Sequence, residues 1–368
     1  MSLRGFATPS GTESYQARLA NHAAAGHFLQ TQGLQLSSIG LGTYLGHWDA
    51  ATDESYTQAI TRAVELGVNV LDTASNYRFQ RSERALGVAL QHLQTAGYKR
   101  EELVICTKGG YLPFDGEPPA DVRSYVEETF VRPGIADFAD IAGGSHCMTP
   151  AYLQHQLDQS LRNLDCESVD VYYLHNPESQ LGAVAREEFD KRLLAAFVKL
   201  EENRAAGKLQ FYGAATWNGF RAAPNARDYL SLARMCELAR EAGGEKHGFR
   251  FVQLPFNLAM PEALLSNNQE LNGYGSIIEV AAELGVTVIA SASLLQGRVT
   301  QNLTPEIRGP LGDLPTDTQT ALQFVRSTPG LATALVGMSQ VAHVEENLYL
   351  VGVAPVASEQ YQQLFTNG

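Results

Sequence analysis

From Ile39 onward, short apolar runs alternate with stretches whose apolar residues recur at helical spacing. The run Ile39-Gly-Leu-Gly-Thr-Tyr-Leu45 reads as a first strand, its glycines allowing close backbone approach. The pattern then predicts helix 54–66 before strand 68–71, helix 82–93 before strand 103–107, and helix 150–164 before strand 171–174. It continues with helix 188–204 before strand 210–214, helix 226–241 before strand 251–254, helix 277–284 before strand 286–290, and helix 318–327 before strand 333–336. A helix over 341–350 closes the series. Eight strands alternating with helices favour a parallel sheet, and an unbroken run of eight favours closure into a (β/α)8 TIM barrel over residues 36–368. The open doubly wound sheet is the alternative. It calls for a glycine-rich phosphate turn after its first strand, and Gly40-Leu-Gly42 has no third glycine in register.

Two segments stand outside the alternation. Residues 1–35 lack strong periodicity and read as an irregular extension ending in a hairpin, 27–30 with 34–36, turned at Gly33. The connection 109–149 is far longer than an ordinary strand-to-helix loop and carries Tyr111, Phe114, Tyr125, Phe130 and Phe138 among Pro, Gly and acidic residues. It reads as a lid inserted after the third strand. Because the chain beyond Asn347 is short, this insertion is expected to form much of a substrate wall.

Composition narrows the partners. With 27 basic against 40 acidic side chains in 368 residues, a net charge of -13 argues against a nucleic-acid or anionic-membrane surface. No apolar stretch reaches the length of a membrane span, and the N-terminus has no signal-peptide core. Cys106, Cys147, Cys166 and Cys236 form no C-x-x-C pair and read as free thiols, so a cytoplasmic protein is the expectation.

The chemistry gathers at the predicted strand ends. Asp72 follows a buried apolar run, where a carboxylate costs desolvation unless a cation lies beside it. Lys108 ends the next run and His175 the one after, while Tyr77 lies five positions beyond Asp72, before a helix with Ser82 as its expected N-cap. A tyrosine with a pKa near ~10 is a poor acid at neutral pH, and a neighbouring lysine lowers that value. Asp72, Tyr77 and Lys108 therefore suit protonation of an oxygen that His175 orients. No second histidine or carboxylate lies at metal-ligand spacing, and His146 and Cys147 of the insertion have no partners.

These residues lie in a wider pattern: GLGTYLG (40–46), AVELGVNVLDTASNY (63–77), SERALG (82–87), LVICTKGG (103–110), SLRNLDCESVDVYYLH (160–175), GKLQFYGAAT (207–216), FVQLPFNL (251–258) and VGMSQVAHVEENL (336–348). In these stretches, from about residue 36 to about 350, the chain resembles the aldo-keto reductases. The resemblance implies a nicotinamide cofactor, NADP or NAD, extended across the barrel mouth, and a catalytic tetrad of Asp72, Tyr77, Lys108 and His175. It implies an oxidoreductase acting on a small carbonyl or sugar substrate, with Tyr77 as general acid; a cofactor-binding regulatory subunit with little turnover is the alternative.

By the same resemblance, cofactor contacts fall at Gly42, Thr43, Tyr44, Asp72, Thr216, Gln253, Ser291, Leu294, Gln296, Gly297, Gly337, Ser339, Gln340, His343, Glu346 and Asn347. Tyr111 and Trp217 are candidate substrate contacts, and His47 and Trp48, after the first strand, are open between substrate contact and loop packing. Gln253 is expected to hold the nicotinamide amide. Two positions depart from the family pattern: Ala215-Thr216 replaces Ser-Asn, and Ser291 stands where a ring-stacking aromatic is usual. At the adenine end Ser339, Gln340 and His343 offer hydrogen bonds but no fixed positive charge.

Overall fold

The computed structural model describes residues 2–366. Eight parallel strands close into a barrel in sequence order: β1 (Ile39–Gly42), β2 (Val70–Asp72), β3 (Val104–Gly109), β4 (Val169–His175), β5 (Leu209–Ala215), β6 (Phe249–Pro255), β7 (Thr287–Ser291) and β8 (Leu331–Gly337). β8 pairs with β1 to complete the ring, Val336 opposite Leu41. Outside run α1 (Ala50–Glu65), α2 (Arg81–Thr95), α3 (Pro150–Leu164), α4 (Arg186–Ala205), α5 (Leu232–Gly243), α6 (Ile277–Glu283), α7 (Asp317–Arg326) and α8 (Val341–Leu348). No helix among the described residues is long and apolar enough to cross a membrane.

The alternation of each strand divides the core in two. Tyr173, Val171, Cys106, Phe251 and Ile289 fill the barrel interior, whereas Tyr172, Leu174, Ile105 and Val252 face the helices. Polar groups cap the N-terminal end. Asp170 accepts from the main-chain nitrogens of Ala7 (2.6 Å) and Ile105 (2.7 Å) and from Arg100 Nη2 (2.8 Å), which joins the extension to the barrel floor.

Several elements differ from the sequence expectation. The extension is not irregular: Pro9–Arg18 is a helix, with Thr8 Oγ1 accepting from Gly11 N at 2.9 Å as its cap. Its buried face is Gly11, Thr12 and Tyr15, too polar to register as apolar periodicity. The hairpin is present as Phe28–Thr31 with Leu34–Ser37. β1 stops at Gly42, and α5 starts at Leu232, capped by Ser231, because residues 218–230 form turns. Ser82 is not the N-cap of α2. That place belongs to Gln80, while Ser82 Oγ donates to the Thr43 carbonyl at 2.7 Å.

The insertion is largely self-contained. Val126, Phe130, Ala136, Ile141 and Cys147 pack with Tyr152 of α3 into a small core of their own. The C-terminal segment turns away from the mouth: Tyr361, in the helix Ser358–Thr366, stacks on Phe324 of α7 with ring centroids 5.5 Å apart.

Candidate active site

A cavity of about 920 Å³ opens at the C-terminal ends of the strands, where a barrel of this kind gathers its loops. The sheet places the reactive groups. Asp72 is the last residue of β2, paired with Gly42 and Cys106; Lys108 lies on β3 opposite Tyr173; His175 ends β4 opposite Ala215. Lys108 is fully buried beneath the cavity floor. Its Nζ is bonded to Asp72 Oδ1 and donates to the Thr73 carbonyl at 2.8 Å. The same Nζ lies 5.0 Å from the centre of the Tyr77 ring, and that ring meets His175 edge-on at 5.7 Å.

Burial shapes the charges of this group. It works against the charge on Lys108, but Asp72 and the Tyr77 phenol outweigh it, so the lysine pKa lies above its ordinary value. Burial pushes the Tyr77 phenol up, the Lys108 charge pulls it back, and the phenol ends above its usual value. The lysine thus limits a rise and does not produce the net lowering that the sequence suggested. Burial, then the Lys108 charge and neighbouring His146, hold His175 well below the ordinary histidine range, so it is neutral.

The loop after Tyr77 is conformationally unusual. Arg78, Phe79 and Gln80 all have positive φ (47°, 57° and 71°), three left-handed residues in succession with no glycine among them. Arg78 holds them in place. Its Nε donates to the His47 carbonyl at 2.7 Å, its Nη2 is paired with Asp53, and its guanidinium lies 5.2 Å over the Tyr56 ring.

Most residues singled out from the sequence meet at this cavity. Its wall includes Asp72, Tyr77 and His175; Gly42, Thr43 and Tyr44; Thr216 and Gln253; Ser291, Leu294, Gln296 and Gly297; Gly337, Ser339, His343, Glu346 and Asn347; and Tyr111 and Trp217. Four do not line it, Lys108 being the one beneath its floor. Gln340 is the exposed N-cap of α8. His47 and Trp48 are exposed and off the lining, and Trp48 packs edge-on against Phe79 at 5.2 Å, the loop-packing side of the sequence expectation. Tyr111 is the insertion's sole lining residue, and the insertion therefore forms far less of the wall than its length suggested. Gln253 spends its amide nitrogen on Asp72 Oδ2 at 2.9 Å, which leaves its carbonyl oxygen for any ligand.

The wall also contains residues the sequence did not single out, among them Asn76, Asn176 and Ser293. Asn176 adopts φ 48°, a conformation asparagine tolerates better than most residues, and its position directly after His175 was the available signal. Asn76 Oδ1, His175 Nδ1, Thr216 Oγ1, Ser293 Oγ and Asn347 Oδ1 are all buried without a partner, and all five belong to lining residues. Such atoms are costly unless a ligand or water meets them. Spread from β2 to α8, they suit a long polar molecule lying across the mouth, as a nicotinamide dinucleotide would. Beside them the turn after β7 is tightened by positive φ at Ala292, Leu295, Gln296 and Gly297.

The model of the aldo/keto reductase family matches residues 38–314. The chain belongs to that family. Two curated relatives are distant but are matched over most of their length. A candidate voltage-gated potassium channel subunit beta of Schizosaccharomyces pombe is 24% identical over 349 residues, covering 88% of this chain and 87% of its own. The uncharacterized oxidoreductase YqkF of Bacillus subtilis is 23% identical over 350 residues, covering 91% and 94%. Among solved structures, an aldo/keto reductase from Klebsiella pneumoniae in complex with NADP and acetate aligns with a TM-score of 0.60 at 19% identity, covering 91% of this chain and 92% of that one. That likeness is one of fold.

Proposed function

We propose that this aldo/keto reductase transfers hydride between a nicotinamide cofactor and a small carbonyl compound (aldehyde, ketone or sugar), in either direction, with Tyr77 as the general acid or base. The observation that carries the reading is the arrangement of Tyr77 between a buried, charged Lys108 and a neutral His175 at the cavity floor. A bound nicotinamide would supply the hydride. The chain's own residues would handle the proton. Tyr77 donates it to the carbonyl oxygen as negative charge develops there; Lys108, held charged by Asp72, stabilises the phenolate left behind; and neutral His175 hydrogen-bonds the same oxygen and fixes its direction.

Thr216 Oγ1, Ser293 Oγ and Asn347 Oδ1, buried without partners, are the groups we assign to the cofactor, with the carbonyl oxygen of Gln253. The NADP of the Klebsiella pneumoniae structure supports a dinucleotide in this cavity. Among the described residues no Lys or Arg lines the cavity, so Ser339 and His343 would hold a 2'-phosphate by hydrogen bonds alone. Affinities for NADPH and NADH measure the preference, and a large advantage for NADH removes NADP from the reading.

A second reading is a regulatory subunit that binds cofactor with little turnover. The channel-subunit relative favours it, as do the departures at Ala215 and Ser291. One experiment separates the two: oxidation of NADPH and NADH against aromatic aldehydes, dicarbonyls and aldoses, with wild type and Tyr77→Phe. Turnover that falls on the order of 10²- to 10⁴-fold in Tyr77→Phe supports the reductase. Cofactor binding without turnover in wild type supports the regulatory reading.

A further inference from the structure

The insertion presents Tyr111 to the cavity, yet a second insertion residue reaches the catalytic strands from behind. His146 is 1% exposed, and both its ring nitrogens are engaged. Nε2 lies 2.8 Å from the main-chain oxygen of His175, and Nδ1 lies 2.9 Å from Gln180 Nε2. Two partners agree on where the proton lies: the His175 carbonyl can only accept, which requires a hydrogen on Nε2, and the outermost partner points the same way. Arginine can only donate, and Arg192 Nη1 meets Gln180 Oε1 at 2.8 Å. The Gln180 amide must therefore turn its nitrogen toward His146, so Nδ1 accepts and Nε2 carries the hydrogen it gives to the His175 carbonyl. Burial lowers the His146 pKa to about 4 against the opposing effect of that bond, and the neutral ring persists at neutral pH.

The surrounding residues are fitted to this contact. Gly110 has φ 144°, and a Cβ there would lie 2.7 Å from His146 Nε2 and 3.0 Å from the His175 oxygen. Tyr111 completes the grip. Its ring meets His146 edge-on at 5.3 Å and His175 edge-on at 5.1 Å, and its hydroxyl accepts from Asn176 Nδ2 at 3.1 Å. The insertion thus holds the turn after β4 at two successive residues, through the carbonyl of His175 and the side chain of Asn176.

We infer that His146 is a positioning residue for His175, clamping the end of β4 in the single orientation from which the His175 ring faces Tyr77. The inference rests on the reductase reading for its kinetic consequence, but the clamp itself can be observed without turnover. It links the insertion to the chemistry by a hydrogen bond from behind, with little wall of its own.

The test compares wild type with His146→Ala, His146→Gln and Arg192→Met, reading kcat and KM for one aldehyde, the NADPH dissociation constant, and the nitrogen-15 resonances of the histidine rings. His146→Ala is expected to lower kcat on the order of 10- to 100-fold, leave NADPH affinity within about twofold, and shift the His175 resonances. His146→Gln, whose amide can donate to the same carbonyl, is expected to recover part of the rate. Arg192→Met lies outside the clamp and should fold normally with the Nε2–H tautomer kept, because the His175 carbonyl can only accept and the His146 carbonyl still holds Gln180 Nε2 at 3.0 Å. Unmoved His175 resonances in His146→Ala would overturn the inference, and so would an equal loss of kcat and cofactor affinity, which marks general loosening of the insertion. Should His146→Ala not fold, a hydrogen on His146 Nδ1 in place of Nε2, in wild type or in Arg192→Met, overturns it. If wild type reduces no carbonyl while NADPH binds, the reductase reading fails and the resonances alone decide the clamp.

Discussion

Gln253 on β6 donates to Oδ2 of Asp72 on β2 at 2.9 Å, while Lys108 on β3 takes Oδ1. The buried carboxylate is therefore satisfied from two sides of the barrel. Gln253→Leu removes one donor and leaves Oδ2 unmet, at an expected loss of about 1–3 kcal/mol of unfolding free energy. Gln253→Glu should lose more, because it sets a like charge beside Asp72. Urea unfolding of the three proteins checks the order; equal stabilities would show that the bond contributes nothing.

On the proposed reading, the phenol of Tyr77 sets the pH dependence. Burial raises its pKa and the Lys108 charge opposes the rise, so the proton stays on the oxygen through the neutral range. Carbonyl reduction, which consumes that proton, should keep a level kcat/KM across neutral pH and decline only on the alkaline side. Alcohol oxidation, which needs the phenolate, should rise with pH instead. In Lys108→Met the opposing charge is gone, and any residual reduction should decline at still higher pH. A decline that moves to lower pH in this variant would refute the assigned role of Lys108.

Acid should weaken the fold through two buried histidines. His27 bonds the Gly67 carbonyl at 2.8 Å and His146 the His175 carbonyl, and burial lowers both from 6.5 to about 4. Both therefore stay neutral in the folded protein where the unfolded chain is already protonated. Their contribution is complete above the unfolded value and is lost as pH falls toward the folded one, on the order of 3 kcal/mol each. Urea midpoints measured from about pH 7.5 down to about pH 4 should fall steadily, with a shallower fall in His27→Gln.

Close packing between strands gives a sharper test. A Cβ on Gly213 of β5 would lie 1.8 Å from the Phe251 carbonyl oxygen of β6 and 3.2 Å from the buried Tyr173 ring of β4, and the Phe251 backbone cannot swing away as a side chain could. Gly213→Ala should cost about 3 kcal/mol or more and lower the melting temperature, with the remaining function lost only in proportion to unfolding. An unchanged melting temperature would mean that the two strands separate easily.

What the sequence revealed follows from which forces act locally. The strands were legible because each buries both faces, so runs such as Val104 to Thr107 are apolar and end abruptly in a polar residue. That abrupt ending also exposed Asp72, Lys108 and His175. The helix Pro9–Arg18 was hidden because it docks through Tyr15 and small residues, with its order set by tertiary contact. The aromatics of the insertion suggested a lid, yet Phe130 and Tyr125 pack against each other and nearby residues, and no local pattern distinguishes an aromatic in a satellite core from one facing substrate. His146 was dismissed for want of metal partners, when its partners were a carbonyl and an amide that sequence does not bring together.

The three left-handed residues after Tyr77 have a consequence for how this protein can change. Each non-glycine residue in that conformation stores on the order of 1 kcal/mol, so Arg78, Phe79 and Gln80 together act as a loaded spring whose latch is the guanidinium of Arg78. Glycine substitutions would unload it at a stroke, yet such gains would come with a looser phenol one residue away. Stability and stiffness therefore pull this loop in opposite directions, and Arg-Phe-Gln in this chain stands on the side of stiffness.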